Sequence, residues 1–101
     1  MKKWAMRFTP ETVRLVSKLH PNHKKQVKQA LDGLRQNPNA GKDLQGELIG
    51  FKSLRSGRHR IIYDIDEEAK FVQVYHIGVR RDVYAQFQRL LHELRKSSSR
   101  E

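Results

Sequence analysis

Between Gly50 and Tyr84 the chain reads GFKSLRSGRHRIIYDIDEEAKFVQVYHIGVRRDVY. Lys52, Arg55, Arg58, His59, Arg60, His76, Arg80, Arg81 and Tyr84 are interleaved there with apolar strand residues such as Leu54, Ile61, Ile62 and Ile77. Strands that needed only a core would not select so many cations beside one another. Guanidinium groups offer fork-shaped donors matched to phosphate oxygens, so this set is fitted to hold a polyanion. Lys52, Arg55 and Arg58 are its candidate phosphate contacts. Histidine side chains ordinarily titrate near neutrality, so His59 and His76 are candidate acid–base groups. Tyr84, close behind Arg80 and Arg81, can stack on a base or orient a sugar hydroxyl. The five histidines are scattered, and there is neither a glycine-rich phosphate loop nor a workable Ser/His/Asp spacing, so no metal and no cofactor is expected.

Composition narrows the partners. Lys and Arg number 21 against 11 acidic residues, a formal charge of +10. Such a domain attracts nucleic acid, an acidic protein segment or an anionic membrane surface. No cysteine is present, which excludes a disulfide framework and a thiolate metal site and fits the cytoplasm. The start MKKWAMRF has no apolar run behind its lysines, and nowhere do about 18 apolar residues follow one another. Neither a signal peptide nor a membrane span is expected. A length of 101 residues implies one domain with a small core, here taken as residues 1–96 followed by a flexible polar tail over 97–101.

The elements that must position the cations follow from pattern. Residues 3–8 (KWAMRF) alternate as a short first strand. Thr9-Pro10-Glu11 is a helix start: a capping hydroxyl, proline at the first helical position and a carboxylate at the positive helix end. One helix is predicted from Pro10 to Leu19, broken by His20-Pro21-Asn22. A second runs from Asn22 to Gln36, with Val27, Ala30, Leu31 and Leu34 at helical spacing. Asn37-Pro38 ends it. The stretch 39–50 (NAGKDLQGELIG) reads as a loop pinned by Leu44 and Leu48. Strands follow at Phe51–Arg55, His59–Asp66 and Phe71–Gly78, the first two joined through Gly57 in a tight turn.

Alternation puts Ile61, Tyr63 and Ile65 toward the helical hairpin, and Arg60 with Arg55 on the opposite face. In the last strand it puts Val72, Val74 and His76 on one face and Phe71, Gln73, Tyr75 and Ile77 on the other. A final helix from Arg81 carries Val83, Phe87, Leu90, Leu91 and Leu94. The expected class is α+β: a small antiparallel sheet in the order β-α-α-β-β-β-α, with the hairpin on one face and the last helix near its edge.

The runs Gly50–Tyr63 (GFKSLRSGRHRIIY) and Tyr75–Tyr84 (YHIGVRRDVY) together resemble the RelE branch of the RelE/ParE toxins, and the likeness extends over nearly the whole chain. It implies a RelE-like fold and the toxin of a type II toxin–antitoxin pair, a metal-independent endoribonuclease that cuts mRNA in the ribosomal A site. In such chemistry the ribose 2′-OH attacks the adjacent phosphorus and leaves a 2′,3′-cyclic phosphate. Carried over by position, Arg60 contacts the scissile phosphate with Arg55 nearby. Arg80 or Arg81 matches the C-terminal arginine, and Tyr84 matches the substrate-orienting tyrosine. Ser53 stands where many relatives carry a lysine or arginine, which leaves His59 or Lys52 to take the 2′-OH proton. The implied partners are mRNA, rRNA and an antitoxin whose acidic segment wraps this basic domain. Two other readings stay open: a ParE-like inhibitor of DNA gyrase, and an antitoxin-bound RNA-binding module with weak or lost catalysis.

Overall fold

The computed structural model describes residues 4–79 and 82–98. The chain runs through β1 (Ala5–Phe8), α1 (Pro10–Ser17), α2 (Pro21–Gln36), β2 (Lys42–Asp43), β3 (Lys52–Ser56), β4 (His59–Asp66), β5 (Phe71–Val79) and α3 (Asp82–Ser98). Helix starts obey their local chemistry. Thr9 caps α1, its Oγ1 accepting the Thr12 N–H at 3.2 Å, with Pro10 in the first turn. His20 caps α2 through Nδ1, which accepts the Asn22 N–H at 3.2 Å, again with proline following. Two short 3₁₀ turns, Pro38–Ala40 and Gly46–Leu48, flank the two-residue β2.

The five strands form one sheet in the order β1-β5-β4-β3-β2. This is the expected α+β class, with two differences of detail. β1 pairs with β5 in parallel, Ala5 opposite Phe71 and Phe8 opposite Val74, so the sheet is mixed. The predicted loop over 39–50 also contributes β2, Lys42 opposite Ser53. α3 continues to Ser98, beyond the expected boundary at 96, while residues 99–101 of the expected tail lie outside those described.

β3 and β4 pair in simple antiparallel register, Leu54 opposite Ile61 and Arg55 opposite Arg60, across a turn in which Gly57 has φ of 58°. β4 and β5 do not keep a single register. Ile62 faces His76, yet Tyr63 faces Val74, so Tyr75 is an extra residue on the bulged strand. Simple alternation fails at that point. Ile77 joins Val72 and Val74 beneath the helical hairpin, and His76 joins Tyr75 on the opposite face.

The sheet is therefore covered on both sides. On the hairpin side Val27, Leu31 and Leu34 of α2 meet Ile61, Tyr63, Val72, Val74 and Ile77, with Val16 and Leu19 packed against them. On the other side Val83 and Phe87 of α3 meet Ile62 and Leu48. Each such side chain taken fully out of water contributes about 1.5–3 kcal/mol. α3 thus lies across the face opposite the hairpin, rather than near the edge of the sheet as expected. Polar groups tie the layers too. Thr12, fully buried, donates from Oγ1 to the Val74 carbonyl at 3.3 Å. The Tyr63 hydroxyl donates to the Pro38 carbonyl at 2.7 Å and accepts the Gly41 N–H at 2.9 Å, holding the loop before β2.

Candidate functional site

Arg55 and Arg60 are directly opposed across the β3–β4 pair, so both side chains leave the sheet on one face. Like charges placed so are destabilising. Among the described residues, neither they nor Arg58 forms a salt bridge; the two that exist are Glu11–Arg14 and Asp43–Lys52. Arg55 donates from Nε to the Gly57 carbonyl at 3.3 Å. A groove of about 230 Å³ opens at this end of the sheet, lined by Arg55, Gly57, Arg58, His59, Arg60 and Val79. Three uncompensated guanidiniums around one concave surface focus a positive field suited to an anion.

α3 brings the phenol to this cluster. Arg60 donates from Nη1 to Tyr84 Oη at 3.3 Å, and its guanidinium carbon lies 5.7 Å from the ring centroid. The oxygen of Tyr84 is also 3.1 Å from Ser53 Oγ. Ser53, Arg55 and Arg60 share a face by strand parity and register, and Tyr84 reaches them from the first turns of α3. That approach depends on Gly78, the β5 partner of Arg60. A Cβ there would stand 2.9 Å from Val83 Cγ2 and 3.2 Å from Val83 Cβ. Glycine is needed for proximity, so that the start of α3 can sit close against β5.

The histidines are placed elsewhere. His59 alternates with Arg60 and so points toward the hairpin. It is 4% exposed, its ring centroid is 5.1 Å from that of His23, and its buried Nδ1 has no hydrogen-bond partner among the described residues. Burial chiefly, then His23 and Arg58, lowers its pKa from the ordinary 6.5. It contributes to the wall of the groove but does not join Arg60 and Tyr84, because strand alternation sends the two neighbours through opposite faces. His76 lies under α3, stacked on Phe87 at 6.3 Å, with Nε2 3.3 Å from Gln86 Oε1. Lys52 leaves β3 on the side opposite to Ser53 and is engaged by Asp43, so it does not join the cluster either. Arg80 and Arg81 lie outside the described residues.

Of the residues expected in a site, the structure thus unites Arg55, Arg58, Arg60 and Tyr84. Sequence reasoning missed Ser53, which had been counted as an absent cation. Its parity with Arg55 was the available signal. Among the described residues no group of three or more His, Cys, Asp or Glu is arranged to hold a metal ion.

A family model described as ParE-like toxin of type II bacterial toxin–antitoxin systems matches residues 6–88. Toxin RelG of Mycobacterium tuberculosis is 35% identical over 83 residues, covering 80% of this chain and 95% of that protein. Among solved structures, the toxin–antitoxin complex RelBE2 of M. tuberculosis matches with a TM-score of 0.71 at 34% identity, over 77% of this chain and 99% of that one. The intact RelBE toxin–antitoxin complex of E. coli matches with a TM-score of 0.65 at 20% identity, over 77% and 98%; that likeness is one of fold.

Proposed function

This chain belongs to the ParE-like toxins of type II bacterial toxin–antitoxin systems, and we propose that it inhibits translation by cleaving mRNA in the ribosomal A site. The observation that carries this reading is the meeting of Arg60 with Tyr84 beside Arg55 and Arg58, which form no salt bridge among the described residues. In the proposed step the ribose 2′-oxygen forms a bond to phosphorus as the bond to the 5′-oxygen breaks. The 2′-OH loses a proton, the 5′-oxygen gains one, and the products are a 2′,3′-cyclic phosphate and a 5′-hydroxyl. No metal or other cofactor takes part in it.

Negative charge builds on the phosphorane, and fixed cations at that place stabilise it without reorganising. Arg60 serves the scissile phosphate, with Arg55 and Arg58 holding the flanking backbone and the Arg80–Arg81 pair supplying a further cation. Tyr84 orients the nucleotide. Arg60 itself is held by Tyr84, so cation and ring arrive at the substrate as one unit. His59 faces the hairpin, on the side of the sheet away from Arg60 and Tyr84, so the proton of the 2′-OH passes to the ribosomal environment or to solvent rather than to it. The same basic surface suits an antitoxin with an acidic segment, and the solved structures that the fold matches include toxin–antitoxin complexes.

In a purified translation system, the wild-type protein is expected to produce cuts in phase with the codon in the A site. Arg60→Ala should lower the cleavage rate at least about a hundredfold, the scale of losing one group that stabilises developing charge. Cleavage by that variant at the wild-type rate would refute the site. Inhibition of gyrase supercoiling without RNA cleavage would refute the function and favour a ParE-type inhibitor instead.

A further inference from the structure

We infer that Ser53 is a positioning residue, the seat on which the Tyr84 phenol is held in register with Arg60. Its kinetic consequence rests on the ribonuclease reading above. Arginine has donors only, so the 3.3 Å contact from Arg60 Nη1 occupies a lone pair of Tyr84 Oη. The phenolic proton is then free to go to Ser53 Oγ, 3.1 Å away. Ser53 is 7% exposed, so its hydroxyl is turned inward, and the phenol is its side-chain partner. The Tyr84 ring is thus fixed at both ends, by α3 at its Cβ and by Ser53 with Arg60 at its oxygen. The guanidinium beside the ring is fixed with it.

The size of the residue matters as much as its hydroxyl. Oγ is the last atom of serine and already lies within hydrogen-bonding distance of the phenol. A lysine or arginine stem at position 53 would continue into the volume that Tyr84 Oη occupies. The residue at 53 is therefore a fitted part of this site and exchanges a mobile cation for an anchored phenol. Its partners across the sheet, Lys42 and Ile62, offer no competing side-chain acceptor for the phenolic proton.

The test has two arms, both on the full chain. In the first, tyrosines are labelled with ¹³C at Cζ and the Tyr84 signal is assigned as the one of three lost in Tyr84→Phe. That signal should move in Ser53→Ala and return toward its original position in Ser53→Thr. In the second, cleavage on programmed ribosomes should show kcat about tenfold lower for Ser53→Ala with KM unchanged within about twofold, the size of one neutral hydrogen bond made effective in the transition state. Ser53→Thr should recover most of the loss. An unmoved Tyr84 signal in Ser53→Ala overturns the inference, and so does an unchanged kcat or an equal loss in Ser53→Thr. If the wild-type chain leaves ribosome-bound mRNA intact, the functional reading fails. The first arm then decides the inference by itself: a moved signal upholds the seat and an unmoved one removes it.

Discussion

Replacing Gly78 by alanine should separate α3 from the sheet, because the new methyl has nowhere to go. Its carbon would lie 2.9 Å from Val83 Cγ2, 3.2 Å from Val83 Cβ and 3.5 Å from Gln86 Oε1. Val83 is fully buried and β-branched, so it cannot turn away cheaply. Overpacking of this kind costs about 1–3 kcal/mol. The loss of glycine's freedom in the unfolded chain returns about 0.4–1 kcal/mol, leaving a net destabilisation of about 1–2 kcal/mol. For a domain of this size that lowers Tm by roughly 5–15 °C, readable by circular dichroism. The shift should also carry Tyr84 away from Arg60, so cleavage should fall by more than the folded fraction alone explains. A Gly78→Ala protein with the wild-type Tm and full activity would refute the claim that this glycine sets the approach of α3.

Gly33→Ala is the opposite case. It lies inside α2 with nothing within 4 Å of the added carbon, and should stabilise by about 0.5–1 kcal/mol in a denaturant titration. Tyr63→Phe removes both the donor to Pro38 and the acceptor from Gly41, and should cost about 1–3 kcal/mol in the same assay. For His59 the sign follows from its lowered pKa. The unfolded chain takes up the proton first, so stability should begin to fall as pH drops through 6.5 and continue falling until the folded protein also protonates. His59→Gln should flatten that slope in unfolding measured between neutral pH and pH 5; a slope unchanged by the substitution would show that other groups set it.

Much of the frame was legible because its signals are local. Thr9-Pro10 and His20-Pro21 mark the helix starts within a residue or two, and Ile61, Tyr63 and Ile65 lie beneath the hairpin by simple alternation. The parallel pairing of β1 with β5 joins segments more than 60 residues apart, and no nearby residue encodes the direction in which such distant strands meet. β2 is too short to show a period. Within the candidate site, the shared face of Arg55 and Arg60 was legible by parity, whereas Tyr84 was marked by its type and its place behind Arg80 and Arg81. The turning of His59 toward His23 also follows from parity, but its isolation from Arg60 becomes clear only once both faces of the sheet are covered. Ser53 was weighed only as a missing cation, and its contact with the Tyr84 hydroxyl depends on where α3 lies, which no local pattern gives.

The extra residue at Tyr75 has a consequence for how this chain can change over time. In an extended strand, a length change of two leaves every later side chain on its original side, whereas a change of one passes them all through the sheet. Losing Tyr75 alone would close the bulge into plain alternation, with Ile62 still opposite His76 and Tyr63 opposite Val74, so His76 and Ile77 would keep their sides. Two relatives of equal length through this strand, one bulged here and one straight, would by contrast present the same later residues to opposite layers. Loss of the extra residue at the bulge therefore preserves the phase in which β5 hands the chain to α3, whereas a one-residue change in the straight part of the strand needs a second to restore it.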